Sequence, residues 1–260
     1  MRGDGGSRDD VVKRRPDAHP NFFPAEAAGL AWLADGGART ARVIEVDREH
    51  IRLERVPAVR PTREAAEEFG RMLARTHAAG ARGFGCPPDG IDGTLFIGNR
   101  TMTSTVHASW GEFYAAERVL PYLRVAVDEG TVTADEAALV ERACALVASG
   151  VANPVGGADR IHGDLWTGNV LWSPDGVVLI DPAAHGGHRE TDLAMLALFG
   201  CPFLTAIHEG YRDAGRLDDG WEERTALHQL HPLAVHAAGH GRSYGESLAT
   251  AAAETVRLLG

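Results

Sequence analysis

Residues 161–181 run IHGDLWTGNVLWSPDGVVLID, and no other stretch constrains the fold as much. Ser173-Pro174-Asp175-Gly176 is a turn signal, because proline presets φ while aspartate and glycine tolerate tight-turn backbone. Short apolar segments flank it at residues 170–172 and 177–180, so a β-hairpin is expected. Folding back there sets Asn169 beside Asp181 at the hairpin's open end. An amide oxygen and a carboxylate converging in this way suit Mg²⁺, a hard cation that also takes phosphate oxygens as ligands. Asp164 lies on the loop just before, where its carboxylate can orient a hydroxyl and accept its proton.

From His162 to Asn169 the spacing is H-x-D-x-x-x-x-N, and with a strand-end aspartate to follow this is the catalytic arrangement of the protein-kinase fold. The longer runs HGDLWTGNVLW and IDPAAHGGHRETDLAML resemble the fructosamine (ketosamine) kinases, small-molecule kinases related to aminoglycoside phosphotransferases and choline kinases. Leu165-Trp166 and the run from Gly187 to Met195 point to the fructosamine branch. The resemblance extends from about Val12 to the Tyr244 region. It implies an α+β, two-lobed protein-kinase-like fold. A small antiparallel-sheet lobe would occupy residues 1–57, and a mainly helical lobe, residues 58–260, would carry the hairpin. It also implies ATP-dependent phosphorylation of a sugar hydroxyl on a small-molecule or protein-bound ketosamine, at the third carbon, a step that labilises the adduct and repairs glycated amines. Asp164 would then be the base, with Asn169 and Asp181 holding Mg²⁺.

The same resemblance assigns further roles. In this fold a strand lysine holds the α- and β-phosphates, and a glutamate on the next helix holds the lysine. Lys13, on a short cationic strand at residues 10–15, and Glu26, in a helix at residues 25–34 after a break at residues 20–24, match by order and spacing. Without the downstream motif an exposed pair would be the ordinary reading. Strands are expected at residues 41–46 and 51–56, and the lobe hinge falls at residues 53–56. Glu54 and Val56 would meet the adenine edge there through backbone groups. Asp192 would hydrogen-bond the catalytic-loop backbone, since a buried carboxylate needs such partners, and His162 would support the same loop. Trp166 and His236 would line the sugar pocket, an indole face packing on a sugar ring. For His188 and Arg189 two readings stand: contact with phosphate or substrate, or neutralisation of nearby carboxylates.

Helical patterns occupy residues 62–79, 135–149 and 190–198, and residues 80–93 form a Gly/Pro-rich loop. His77 and the aromatic residues between Trp110 and Tyr122 read as core. Twelve residues precede Lys13. Asp4-Gly5-Gly6-Ser7 looks like a turn into the lysine strand, with no G-x-G-x-x-G. The small lobe is therefore expected to be truncated, lacking its first strand, its phosphate-covering loop and most of its second strand. Weak ATP binding and an exposed sheet edge would follow.

A chain of 260 residues suffices for two small lobes around a substantial core. The net charge of −10 argues against nucleic acid as the main partner. No apolar run approaches a membrane span, and the polar start lacks a signal-peptide core, so the cytoplasm is expected. Cys86, Cys144 and Cys201, odd in number and widely spaced, read as buried small residues rather than a disulfide framework. Two other functions remain open: a kinase of another small alcohol, such as an aminoglycoside or amino alcohol, and a catalytically impaired binding module without its ATP lid.

Overall fold

The computed structural model describes residues 10–260, and the expected turn at residues 4–7 lies outside them. Strand β1 (Asp10–Arg14) leads into helix α1 (Phe22–Asp35), followed by β2 (Val43–Val46) and β3 (His50–Glu54). The three strands form an antiparallel sheet in the order β1-β3-β2. Among the described residues, β1 and β2 are its two edges. Phe23 and Leu30 of α1, seven residues apart and so on one helix face, bury against Ala41, Ile51 and Leu53. The helix starts earlier than expected, with Pro24 inside its first turn. The N–H that proline lacks has no intrahelical partner there, so the residue is tolerated. Strand β3 ends at Glu54, opposite Asp10 of β1, rather than at Val56.

The body begins with α2 (Arg63–Ala78), whose Thr62 side chain caps the first turn by accepting from the Ala65 amide. A hairpin follows, β4 (Leu95–Ile97) and β5 (Arg100–Met102). Next come α3 (Trp110–Phe113), a π-helical turn at Tyr114–Val119, α4 (Leu120–Asp128) and α5 (Ala134–Ala148). Strand β6 (Asp159–Ile161) pairs with β9 (His185–Gly187). Between them lies the expected hairpin, β7 (Val170–Ser173) and β8 (Gly176–Leu179), closed by a Ser173–Gly176 pair. The remaining helices are α6 (Arg189–Leu198), α7 (Leu204–Ala214), α8 (Thr225–His240) and α9 (Arg242–Leu259). No helix among the described residues is long and apolar enough to cross a membrane.

Two apolar cores organise this body. One gathers α4, α5, α8 and α9, and the other joins α1, α2 and the β7–β8 hairpin to α6 and α7. All three cysteines are buried and unpaired. Pro232 sits inside α8 and cannot donate to the carbonyl of His228; the Tyr114 hydroxyl donates there instead, at 2.8 Å.

Helices α2 and α7 cross with backbones almost in contact. A Cβ added at Gly70 would lie 2.0 Å from the Ile207 carbonyl oxygen, and one at Gly210 would lie 1.9 Å from that of Glu67. Backbone cannot yield as a flexible side chain does, so the helices must separate. Gly70→Ala is expected to cost about 3 kcal/mol or more, the upper range for overpacking, despite alanine's better helix propensity. Urea unfolding of the two proteins measures it, and an unchanged midpoint would refute the close crossing.

Candidate active site

The hairpin does what the spacing required. Its 3₁₀ turn, Thr167–Asn169, delivers Asn169 to the start of β7, and β8 runs out through Ile180 to Asp181. Asp181 has φ 53°, in the left-handed region that few non-glycine residues adopt and that aspartate is among those to tolerate. Hydrogen bonds between Leu179 and the backbone at Arg39 and Ala41 stitch β8 to the chain entering the small sheet.

Lys13, Glu26, Asp164, Trp166, Asn169 and Asp181 all line one cleft of about 340 Å³. The Lys13 ammonium donates to Glu26 at 2.7 Å and also contacts the Asp181 carboxylate directly. Burial works against the lysine's charge, but Glu26 and Asp181 outweigh it and hold the pKa above its ordinary value. Burial pushes the Glu26 carboxyl up. Asn169 Nδ2 donates to the Asp164 backbone oxygen at 2.8 Å and to its carboxylate at 3.2 Å. That commits the amide nitrogen and leaves Oδ1 as the oxygen available toward the cleft. Burial, followed by the charges of Asp181 and Asp192 and opposed by the Asn169 bond, raises Asp164 to about 7.

A buried layer holds the loop in place. Asp192 on α6 accepts from the backbone amides of His162 at 2.7 Å and Gly163 at 2.9 Å, and its Oδ2 lies 3.1 Å from His77 Nε2. Burial alone would raise its carboxyl; these bonds and the neighbouring imidazoles bring it below the ordinary value. His162 Nδ1 accepts the Asp164 amide, so Nε2 carries the proton donated to the Ile180 carbonyl, 2.9 Å away. One neutral imidazole thus ties the loop of Asp164 to the strand that ends at Asp181. Arg118, on the π-helical turn, donates to His185 Nε2 at 3.5 Å, and Nδ1 of that ring donates to the Ala183 carbonyl at 2.7 Å. The segment after Asp181 is pinned from that side as well.

Asp164 and Trp166 also line a second cleft of about 560 Å³, with His236 and His240 at its far end. Trp166, 39% exposed, meets Phe199 edge-on at 6.1 Å, and Phe199 meets His236 at 4.9 Å. Glu54 and Val56 line neither cleft. The Glu54 side chain pairs with Arg42 on the surface, and Val56 packs against the small sheet's core. Glu54 closes β3 and Val56 lies just past it; with both side chains committed elsewhere, only backbone is left for any role at the cleft. His188 and Arg189 also stand apart from the clefts. His188 is buried and caps α6 through Nδ1, and Arg189 grips Asp159, at 3.0 Å from Nε. Neutralising a carboxylate is what Arg189 does.

The β4–β5 hairpin escaped the sequence reading. Gly98 and Asn99 at its tip line both clefts, and Asn99 accepts from Arg15 at 2.6 Å. A Gly-Asn pair between apolar LFI and RTM was the available signal.

A sheet lobe and a helical body, with Asp164, Asn169 and Asp181 lining one cleft, define a phosphotransferase of the protein-kinase-like fold. The choline/ethanolamine kinase family protein of Mesorhizobium loti shares that fold, with TM-score 0.62 at 16% identity over 96% of this chain and 83% of that one. The expected α+β two-lobed architecture is realised. The sequence pattern of the fructosamine kinase family matches residues 4–257, and the chain belongs to that family. It is thus an enzyme that transfers a phosphoryl group to an alcohol. It is similar to a probable ketoamine kinase of Thermus thermophilus, 31% identical over 236 residues, or 90% of this chain and 82% of the relative. A candidate fructosamine-3-kinase from Thermobifida fusca superposes with TM-score 0.88 at 45% identity, covering 95% of this chain and 85% of that one.

Proposed function

We propose that this chain transfers the γ-phosphoryl group of ATP, with Mg²⁺, to a sugar hydroxyl of a ketosamine, a sugar–amine adduct whose phosphorylation repairs glycated amines. The observation that carries the reading is the position of Asp164, which lines both clefts and so faces donor and acceptor together. Lys13, tethered by Glu26, would steady the donor's phosphates. Asp164 would orient the acceptor hydroxyl and take its proton, and Trp166 and His236 would flank the sugar. Residues to about 57 form the donor-side lobe in this reading, and residues 58–260 the acceptor-side lobe. The oxygen donors of Asn169 and Asp181 fit a hard divalent cation. When bound, Mg²⁺ supplies charge neutralisation for the phosphates as the γ-group departs. His162 and Asp192 would act by holding the loop, since catalysis of this kind is mostly positioning.

The protein is incubated with Mg·ATP and the fructose adduct of lysine, and products are weighed by mass spectrometry. A product heavier by one phosphoryl group is expected. Phosphorylation of an amino alcohol or aminoglycoside but of no ketosamine would overturn the substrate assignment.

A further inference from the structure

The second cleft carries one charge that phosphoryl transfer does not use. Arg100, the first residue of β5, lines it on the side away from the metal ligands, and one guanidinium nitrogen donates to the Ala238 carbonyl near the end of α8. That bond fixes the direction of the head group while leaving its other N–H donors uncommitted to Ala238. The approach is possible because residue 239 is glycine: a Cβ there would lie 2.9 Å from the same nitrogen. Among the described residues Arg100 has no carboxylate partner, although the chain's net charge is −10 and Arg42, Arg52, Arg63, Arg189 and Arg224 all have one. Asp164 is the sole carboxylate among the described residues that line this cleft, and it stands at the reacting end. His236 holds the Pro232 carbonyl through Nδ1, 2.7 Å away, so its other ring nitrogen is the one left toward the cleft.

A cleft of about 560 Å³ has room for more than a sugar ring, being within the range that takes a drug-sized ligand. A held but unpaired arginine beyond the reacting end is an anion receptor, and a planar guanidinium matches a carboxylate. We propose that the acceptor is a ketosamine carrying a carboxylate on its amine portion, the adduct of a sugar with a free amino acid, and that Arg100 binds that carboxylate. This rests on the ketosamine reading above and narrows it.

The test compares two acceptors of similar size, the fructose adducts of glycine and of ethylamine, in the wild-type protein and in R100Q. In the wild type, kcat/KM for the glycine adduct is expected to exceed that for the ethylamine adduct roughly tenfold, mostly through KM, as one charge-assisted pair would give. In R100Q the ratio of the two falls to about one. Equal kcat/KM in the wild type overturns the carboxylate assignment and leaves the ketosamine reading standing. So does a ratio preserved in R100Q, since Arg100 would then be only a prop for α8. Activity on neither adduct overturns both readings together. Where R100Q folds poorly, the wild-type comparison can still overturn the carboxylate assignment, and R100K, which keeps the charge, is expected to retain the preference.

Discussion

Asp164→Asn is expected to lower kcat for phosphoryl transfer by about 10³-fold, within the range typical of general-base catalysis. Asparagine has nearly the same size and can still hydrogen-bond a hydroxyl, but it cannot take the proton away. Nucleotide affinity, read by titration calorimetry, should change little, because Lys13 and Asp181 remain. The variant should also fold at least as well as its parent. Burial raises the Asp164 carboxyl from an ordinary 3.8 to about 7, so its ionised form is disfavoured in the folded protein near neutral pH, and a neutral amide avoids that cost. A melting temperature that holds while turnover collapses would separate loss of the base from loss of the fold. Near-normal turnover would remove Asp164 from the chemistry. The same pKa sets the wild-type pH profile at limiting Mg²⁺. Below about 7 the base takes up a proton, and kcat/KM should fall roughly tenfold per pH unit. Charge neutralisation at Asp181 removes one of the repulsions that raise this pKa, so the fall should move to lower pH as Mg²⁺ increases.

The second large effect is on stability in mild acid. His162, His185, His188, His228 and His231 are all at most 3% exposed. Burial lowers every one of their pKa values, that of His231 to about 3. Their pKa values in the unfolded chain are about 6.5. Below that pH the unfolded state binds protons that the folded state refuses, so stability is complete above about 6.5 and falls as pH drops. A histidine held well below its ordinary value, as His185, His188 and His231 are, costs roughly 1 kcal/mol between pH 6.5 and 5.5. These three together remove about 3 of the 5–15 kcal/mol typical of a domain, with His162 and His228 acting in the same direction. Two carboxylates steepen the loss further down. Glu190, held at about 2 by Arg224 and His228 against the effect of burial, and Asp192 give up their contributions as they protonate below their ordinary values. Urea midpoints at pH 7.5, 6.5 and 5.5 measure the slope. A flat profile would mean that these imidazoles are charged in the fold.

How far the sequence could be read depended on how local each signal was. The β7–β8 hairpin and the meeting of Asn169 with Asp181 follow from a turn and two flanking strands, so spacing alone sufficed. Lys13 reaches Asp181 across a separation of 168 residues, and only the resemblance could pair them. Strands β4 and β5 are three residues each, too short for alternation to stand out, and with them went Asn99 and Arg100. The histidines were visible but not interpretable. Whether an imidazole is a ligand, a cap or a core strut depends on what covers it, and cover comes from distant elements: α6 and α7 over His77, α8 over His188. Glu54 and Val56 were placed by analogy to a hinge where backbone does the binding, so their side chains carried no check on the assignment.

The contact of Lys13 with Asp181 bears on how the site is entered. At rest the ammonium serves as the carboxylate's resident counter-ion, and the cleft is electrically closed. A bare divalent cation would have to evict it and leave a partly buried lysine facing only Glu26. A cation arriving already wrapped in phosphate oxygens brings the lysine a replacement anion in the same event, so the exchange of partners costs far less. On the proposed reading the ground-state pairing would act as an admission rule, favouring the metal–nucleotide complex over either component alone.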